Sequence, residues 1–180
     1  MQEKYGKIIF LNGASSSGKT SIATLLQQKI ELPFWHISID HLRDAGVLPL
    51  ERIRSGEFKW QELRESFFSG FHHSLHQYAK AGNNLIIEHI IETQEWKQLL
   101  TELLKPFDVF YVCLHCELGE LERRENHRSD RPIGDARKDF EVLQTLPMHY
   151  DLEVNAELPV EENVDVILSQ WRLRSKPELL

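Results

Sequence analysis

A chain of 180 residues with a formal net charge of −7 is the size of one domain with room for an adequate core. The acidic balance and the lack of a Lys/Arg-rich tract argue against nucleic acid as the main partner. No apolar run reaches the ~18 residues of a membrane span, and Met1-Gln2-Glu3-Lys4 leads straight into a strand without a signal-peptide pattern, so a cytoplasmic location is expected.

The apolar run Ile8-Ile9-Phe10-Leu11 predicts a first strand, and Gly13-Ala14-Ser15-Ser16-Ser17-Gly18-Lys19-Thr20 follows it. This octet fits the phosphate-binding (Walker A) pattern G-x-x-x-x-G-K-[ST] without a mismatch. Glycine lets the backbone curl until successive N–H groups point inward at phosphate oxygens. Lys19 reaches the β- and γ-phosphates, and Thr20 offers a hydroxyl to Mg²⁺. A helix predicted over Ser21–Lys29 aims its positive dipole end at the same anion. A nucleoside triphosphate is the ligand this arrangement predicts.

Phe34 to Ile39 is a second β-rich run, ending at Asp40. His41 to about Lys59 carries Gly46, Pro49 and Gly56 and reads as short helices and loops. Trp60 to Ala81 shows helical spacing with Leu63, Phe67, Phe71, Leu75 and Tyr78 on one stripe. Gly82 ends it, and Leu85 to Ile91 is a nearly continuous apolar strand suited to burial on both faces. Thr93 caps a helix that stops before Pro106. Phe107–Leu114 and Leu152–Val154 are further strands; helices are predicted over Glu117–His127, 136–146 and Val160–Arg172. Alternating strands and helices with a phosphate loop after the first strand imply an α/β fold: three layers, with a five-stranded parallel sheet covered by helices on both faces. With no repeat or linker, residues 1–180 form a single domain.

In such a sheet the ligand crevice opens at the carboxyl ends of the strands. Asp40 follows strand two and Glu88 lies in strand three. An acid there either holds Mg²⁺, directly or through water, or accepts a proton from an attacking hydroxyl. Asp40 also reads as a helix cap. Glu88 sits in an apolar strand, where a buried carboxylate costs several kcal/mol unless paired, so it joins Thr20 as a candidate metal residue. The run from Arg123 to Gly134 places four arginines around a Pro/Gly loop, the pattern of a lid over about 124–135. Arg128 and Arg131, flanking that loop, are candidates for stabilising phosphoryl charge; Arg123 and Arg124 read equally as a solvated helix face with pairs such as Glu120–Arg124.

Cys113 and Cys116 form C-x-x-C with no second pair to complete a zinc site, and Cys113 lies in an apolar run, so they read as structural. His72, His73 and His76 lack the carboxylate of an H-E-x-x-H pattern and read as surface or pocket-lining residues.

The segment Asn12–Thr20, Asp40, Glu125-x-x-Arg128-x-Asp130-Arg131 and Tyr150-Asp151-Leu152-Glu153-Val154 together resemble the chloramphenicol phosphotransferase family, in register from Ile8 to the final helix. The resemblance implies a nucleotide-kinase-like fold and ATP- and Mg²⁺-dependent phosphorylation of a hydroxyl on a small molecule. It implies that Asp40 matches the family's proposed general base, while Lys19, Arg128 and Arg131 hold phosphates and Gly13, Ala14, Ser15, Ser16, Ser17, Gly18, Lys19, Thr20 and Ser21 cradle ATP. Ala14 stands where the family often has a second glycine, and Glu88-His89 where an Asp-rich pair is expected. A substrate-binding insertion is expected over about 41–71, but Leu42–Phe71 matches no motif, so chloramphenicol is a family label here. Kinases of another metabolite, a nucleotide or a sugar nucleotide, as in zeta-toxin-like proteins, share the architecture. A GTPase-like switch would want N-K-x-D and D-x-x-G, and neither is present.

Overall fold

The computed structural model describes residues 5–127, 133–146 and 148–174. In chain order the elements are β1 (Ile8–Gly13), α1 (Lys19–Lys29), β2 (Phe34–Ser38), α2 (Ile39–Asp44), α3 (Leu50–Arg54), α4 (Trp60–Lys80) and β3 (Asn84–Glu88). They continue with α5 (Gln94–Leu104), β4 (Val109–His115), α6 (Leu118–Asn126), α7 (Asp135–Thr145), β5 (Leu152–Asn155) and α8 (Val160–Arg174). Strands and crossover helices alternate from end to end, which suits a parallel sheet.

The five strands pair in the order β2-β3-β1-β4-β5, and every pairing is parallel. β1 is central and buried along its whole length. Its side chains alternate between two cores, as the pleat requires. Ile9 and Leu11 pack with α1 and α8 through Ile22, Leu26, Ile167 and Trp171. Ile8 and Phe10 pack with α4 and α5 through Phe71, Leu75, Trp96 and Leu100. The register sets Leu11 beside Glu88 and Gly13 beside Leu114, so the end of β1 lies between the ends of β3 and β4. The functional loop therefore starts from the most buried strand of the sheet.

The expected α4 stripe and third strand need correction. The buried face of α4 is Phe68, Phe71, His72, Leu75 and Ala79, with Tyr78 exposed. Leu63 to Leu75 step by four and drift round the 3.6-residue period, while Tyr78, three residues beyond Leu75, falls at the edge of the buried face and leans on Trp35 at 5.6 Å between ring centroids. The third strand ends at Glu88, so Ile90 and Ile91 belong to the turn before α5. Thr93 does cap α5, its Oγ1 accepting from the Trp96 N–H at 3.2 Å. Cys113 is buried and Cys116 half-buried, both as thiols, and burial pushes Cys113 up to about 11. No helix among the described residues is long and apolar enough to cross a membrane.

His72 is not on the surface; it is fully buried, and its Nε2 lies 3.0 Å from Nε2 of buried His89. Trp96 stacks on His89 at 5.6 Å. One ring donates and the other accepts. Burial takes His72 down to about 4 and His89 well below the ordinary imidazole range. Folded pKa values below the unfolded value of 6.5 mean that the unfolded chain binds protons that the folded chain refuses. Stability should thus be fully present above that value and fall with acidification, by about 1.4 kcal/mol per pH unit for each histidine. Thermal melts between neutral pH and pH ~4 should show this decline, and His72→Gln should make it shallower; an unchanged slope in the variant would contradict the assignment.

Candidate active site

Gly13 ends β1 with no room for a side chain, since a Cβ there would lie 2.9 Å from Ser17 Oγ and 3.1 Å from Leu114. Ser16 and Gly18 both adopt left-handed backbone, with φ of 65° and 89°. That conformation costs little for glycine but strains serine, and such strain persists where surroundings impose it. Gly18 is the N-cap of α1 and supplies no side-chain cap bond. The first N–H groups of α1 consequently point at the loop with the dipole behind them. Ser16 Oγ and Ser17 Oγ are buried and have no hydrogen-bond partner among the described residues. Lys19 Nζ turns back into the loop, donating to the carbonyls of Gly13 at 2.7 Å and Ala14 at 2.8 Å. Donors and hydroxyls thus converge on one small volume that an anion would satisfy.

Neighbouring elements hold the loop. Asn12 Oδ1 accepts from Gly13 N–H at 3.1 Å, and its Nδ2 donates to Tyr150 Oη at 2.7 Å. Asp139, from α7, accepts from the Ser15 N–H at 2.9 Å. A carboxylate thereby occupies one donor of the cradle. Burial pushes the Asp139 carboxyl up, outweighing the pull of that N–H and of Lys19.

Glu88 is 5% exposed at the carboxyl end of β3. Its Oε1 accepts from the Thr20 hydroxyl at 3.3 Å and lies 3.4 Å from His36 Nε2, whereas its Oε2 has no partner among the described residues. Burial raises its carboxyl, but His36, Thr20 and Lys19 together outweigh burial and hold it below the usual carboxylate value. Asp40 is the second residue of α2, and Arg43 Nη1 stands 2.9 Å from its Oδ1. The cap of α2 is Ser38, whose Oγ accepts from His41 N–H at 3.1 Å, so Asp40 is not spent on capping.

Lys19, Thr20, Asp40 and Glu88 all line one cavity of about 650 Å³. Its outer wall comes from α2, α3 and the start of α4, with Arg43, Arg54, Trp60, Arg64 and Phe68 among the lining residues. At its mouth Glu92 joins Arg64 of α4 at 3.0 Å to Lys138 of α7 at 2.8 Å. A second cavity of about 500 Å³ opens on the other side of the loop, between Arg124 and the turn of Ala156 to Pro159.

Arg128 and Arg131 lie outside the described residues, as do residues 128–132 of the expected lid. The segments flanking those residues are tied together. Glu125 is buried in α6 and accepts from the N–H groups of Gly134 at 2.9 Å and Ala136 at 2.8 Å, which caps α7 from a distance and lowers its pKa. Arg123 pairs with Glu120 on the surface; Arg124 pairs with Glu120 at 2.6 Å and also donates to the Ala156 carbonyl at 3.0 Å. His73 is exposed and His76 half-buried, and neither lines the two cavities.

The family model for chloramphenicol phosphotransferase-like proteins matches residues 6–172. The chain belongs to the chloramphenicol phosphotransferase-like family. A Mycobacterium tuberculosis protein named "Putative O-phosphotransferase" is 32% identical to it, over 80% of this chain and 78% of its own. Among solved structures, a gluconokinase from Sinorhizobium meliloti covers 96% of this chain and 95% of its own at a TM-score of 0.64 and 18% identity. An APS kinase from Mycobacterium tuberculosis, in complex with AMPPNP and APS, covers 93% and 98% at a TM-score of 0.66 and 18% identity. The fold is thus that of P-loop kinases.

For this chloramphenicol phosphotransferase-like chain, sequence reasoning missed His36, His41, Arg64, Glu92 and Asp139. His36 carried a signal, because it alternates with Ser38 on the strand face that Glu88 shares. Asp139 carried none, since only the packing of α7 beside β1 brings it to Ser15. A unit negative charge about 4 Å from an incoming phosphate costs roughly 1 kcal/mol in a water-like medium. Asp139→Asn should therefore bind ATP several-fold more tightly at neutral pH in a titration calorimeter; equal or weaker binding would show that the carboxylate does not oppose the phosphate.

Proposed function

We infer that the chain is an ATP-dependent O-phosphotransferase that moves the γ-phosphate of ATP to a hydroxyl of a small molecule, as a chloramphenicol phosphotransferase-like enzyme with magnesium. The observation that carries this reading is the shared cavity: the phosphate loop, with Lys19 and the unpartnered buried Ser16 hydroxyl, on one wall and the Asp40 carboxylate on another. Family membership and the printed name of the Mycobacterium tuberculosis relative support it. So does the fold, because an APS kinase that shares it is described in complex with AMPPNP.

The loop Gly13–Thr20 and Ser21 take the phosphates, with Lys19 leaving the carbonyls of Gly13 and Ala14 to meet them. The second cavity, beside Arg124 and Pro159, takes the nucleoside. Thr20 and Glu88 would hold Mg²⁺, and the orphaned Glu88 Oε2 fits that group. When bound, Mg²⁺ neutralises charge on the phosphate oxygens. Residues 41–71 form the acceptor side, and about 124–135 act as the lid, from which Arg128 and Arg131 stabilise the transferring group. Asp40, held by Arg43, orients the acceptor hydroxyl and receives its proton as the new P–O bond forms and the bond from the γ-phosphorus to the bridging oxygen breaks. The transition state is loose, so orientation counts as much as basicity. Closure keeps water from competing with the hydroxyl. ATP as donor puts the reaction in the cytoplasm.

The test is ADP formation by wild type and Asp40→Asn across a panel of hydroxyl compounds that includes chloramphenicol. One compound should stimulate turnover, and the variant should lose roughly 10²–10⁴-fold of that rate while still binding ATP. Near-normal turnover by the variant would remove Asp40 from this role.

A further inference from the structure

The carboxylate of Glu88 has two imidazole neighbours that phosphoryl transfer does not use. His36 lies on the edge strand β2, two residues before Ser38, which is in register with Glu88. His41 lies in the first turn of α2. One ligand atom from each of His36, His41 and Glu88 can be chosen so that all three lie within 4.8 Å of one another. The two histidine rings meet edge to face, with centroids 4.6 Å apart.

We propose that His36, His41 and Glu88 form a binding site for a divalent transition-metal ion of the Zn²⁺ and Co²⁺ class, filled without nucleotide.

Two buried atoms at this point lack partners among the described residues, His36 Nε2 and Glu88 Oε2. The side chains that carry them are 8% and 5% exposed, so solvent does little to satisfy them. A lone pair on a buried nitrogen beside a buried carboxylate oxygen is costly to leave unpaired, and a cation satisfies both at once. His36 Nε2 lies 3.4 Å from the other oxygen of that carboxylate, Glu88 Oε1, a contact that fails as a hydrogen bond but suits two ligand atoms that share an ion. Donors bound to one such ion at about 2.1 Å stand roughly 3–4 Å apart. The set is slightly wider than that, and His41 is exposed, so rotation of its ring closes the difference.

The donor set decides which metal. Two imidazoles and one carboxylate suit zinc-class ions, whereas Mg²⁺ prefers oxygen ligands throughout. The Thr20 hydroxyl, 3.3 Å from Glu88 Oε1, orients the carboxylate from outside the ligand set. Three protein ligands leave a further position open for water or another ligand. Glu88 is also a proposed Mg²⁺ residue of the kinase reaction, so the two ions are alternatives at its carboxylate, and the site proposed here is the one filled without nucleotide.

Visible absorption of the metal-stripped full chain titrated with Co²⁺ tests it. One Co²⁺ per chain should bind without nucleotide, without a thiolate charge-transfer band, and resist displacement by excess Mg²⁺. His41→Gln and His36→Gln should each weaken binding at least tenfold. His41 is exposed, so its variant should melt as wild type does when no metal is added, which separates a lost ligand from a lost fold. Lys19→Ala should keep the Co²⁺ site while losing ATP, so failure of the metal site and failure of the nucleotide reading give different results. No Co²⁺ binding by wild type, or binding that survives both histidine substitutions, would overturn the proposal.

Discussion

The structure depends on an electrostatic demand created by backbone geometry. Left-handed Ser16 and Gly18 turn the chain between β1 and α1, and the turn gathers donors that the protein itself does not satisfy. Lys19 answers part of that demand by folding its ammonium onto the loop carbonyls. Asp139 answers another part by lending a carboxylate to the Ser15 N–H. Both contacts are of the kind that a phosphate can replace, because a phosphate offers acceptors to the N–H groups and charge to the ammonium.

Holding such a loop open requires a rigid base. The fully buried β1, dry on both faces, provides it and fixes where Gly13 emerges. Because β1 runs between β3 and β4, the loop meets Glu88 on one side and packs against Leu114 on the other. The edge strand β2 then delivers Asp40 and the His36–His41 pair to the same end of the sheet. One topological arrangement therefore sets the phosphate-loop residues and the Asp40 and Glu88 carboxylates around one cavity, with His36 and His41 beside Glu88.

Much of this was legible in the chain itself. The phosphate loop and the strand before it follow from spacing, because glycine positions and an apolar run have direct backbone meanings. Thr93 capping and the Glu120–Arg124 pair are likewise local and were readable one turn at a time. Sheet order was not, since parallel pairing is set by long-range packing. Nor was the fate of His72, whose partner His89 is 17 residues away in sequence and reaches it only across the α4–β3 junction. Glu125 shows the same limit: its motif position was visible, but not that it caps a helix nine residues further on.

The central claim is that the Gly13–Thr20 loop is a nucleotide cradle in which Lys19 carries the charge. Titration calorimetry of ATP with Mg²⁺ into wild type and Lys19→Ala tests it most directly. Saturable one-to-one binding to wild type, weakened at least about tenfold in the variant, which corresponds to about 1.4 kcal/mol, is the predicted result. Equal affinity in the two proteins, or no binding to wild type, would contradict the account.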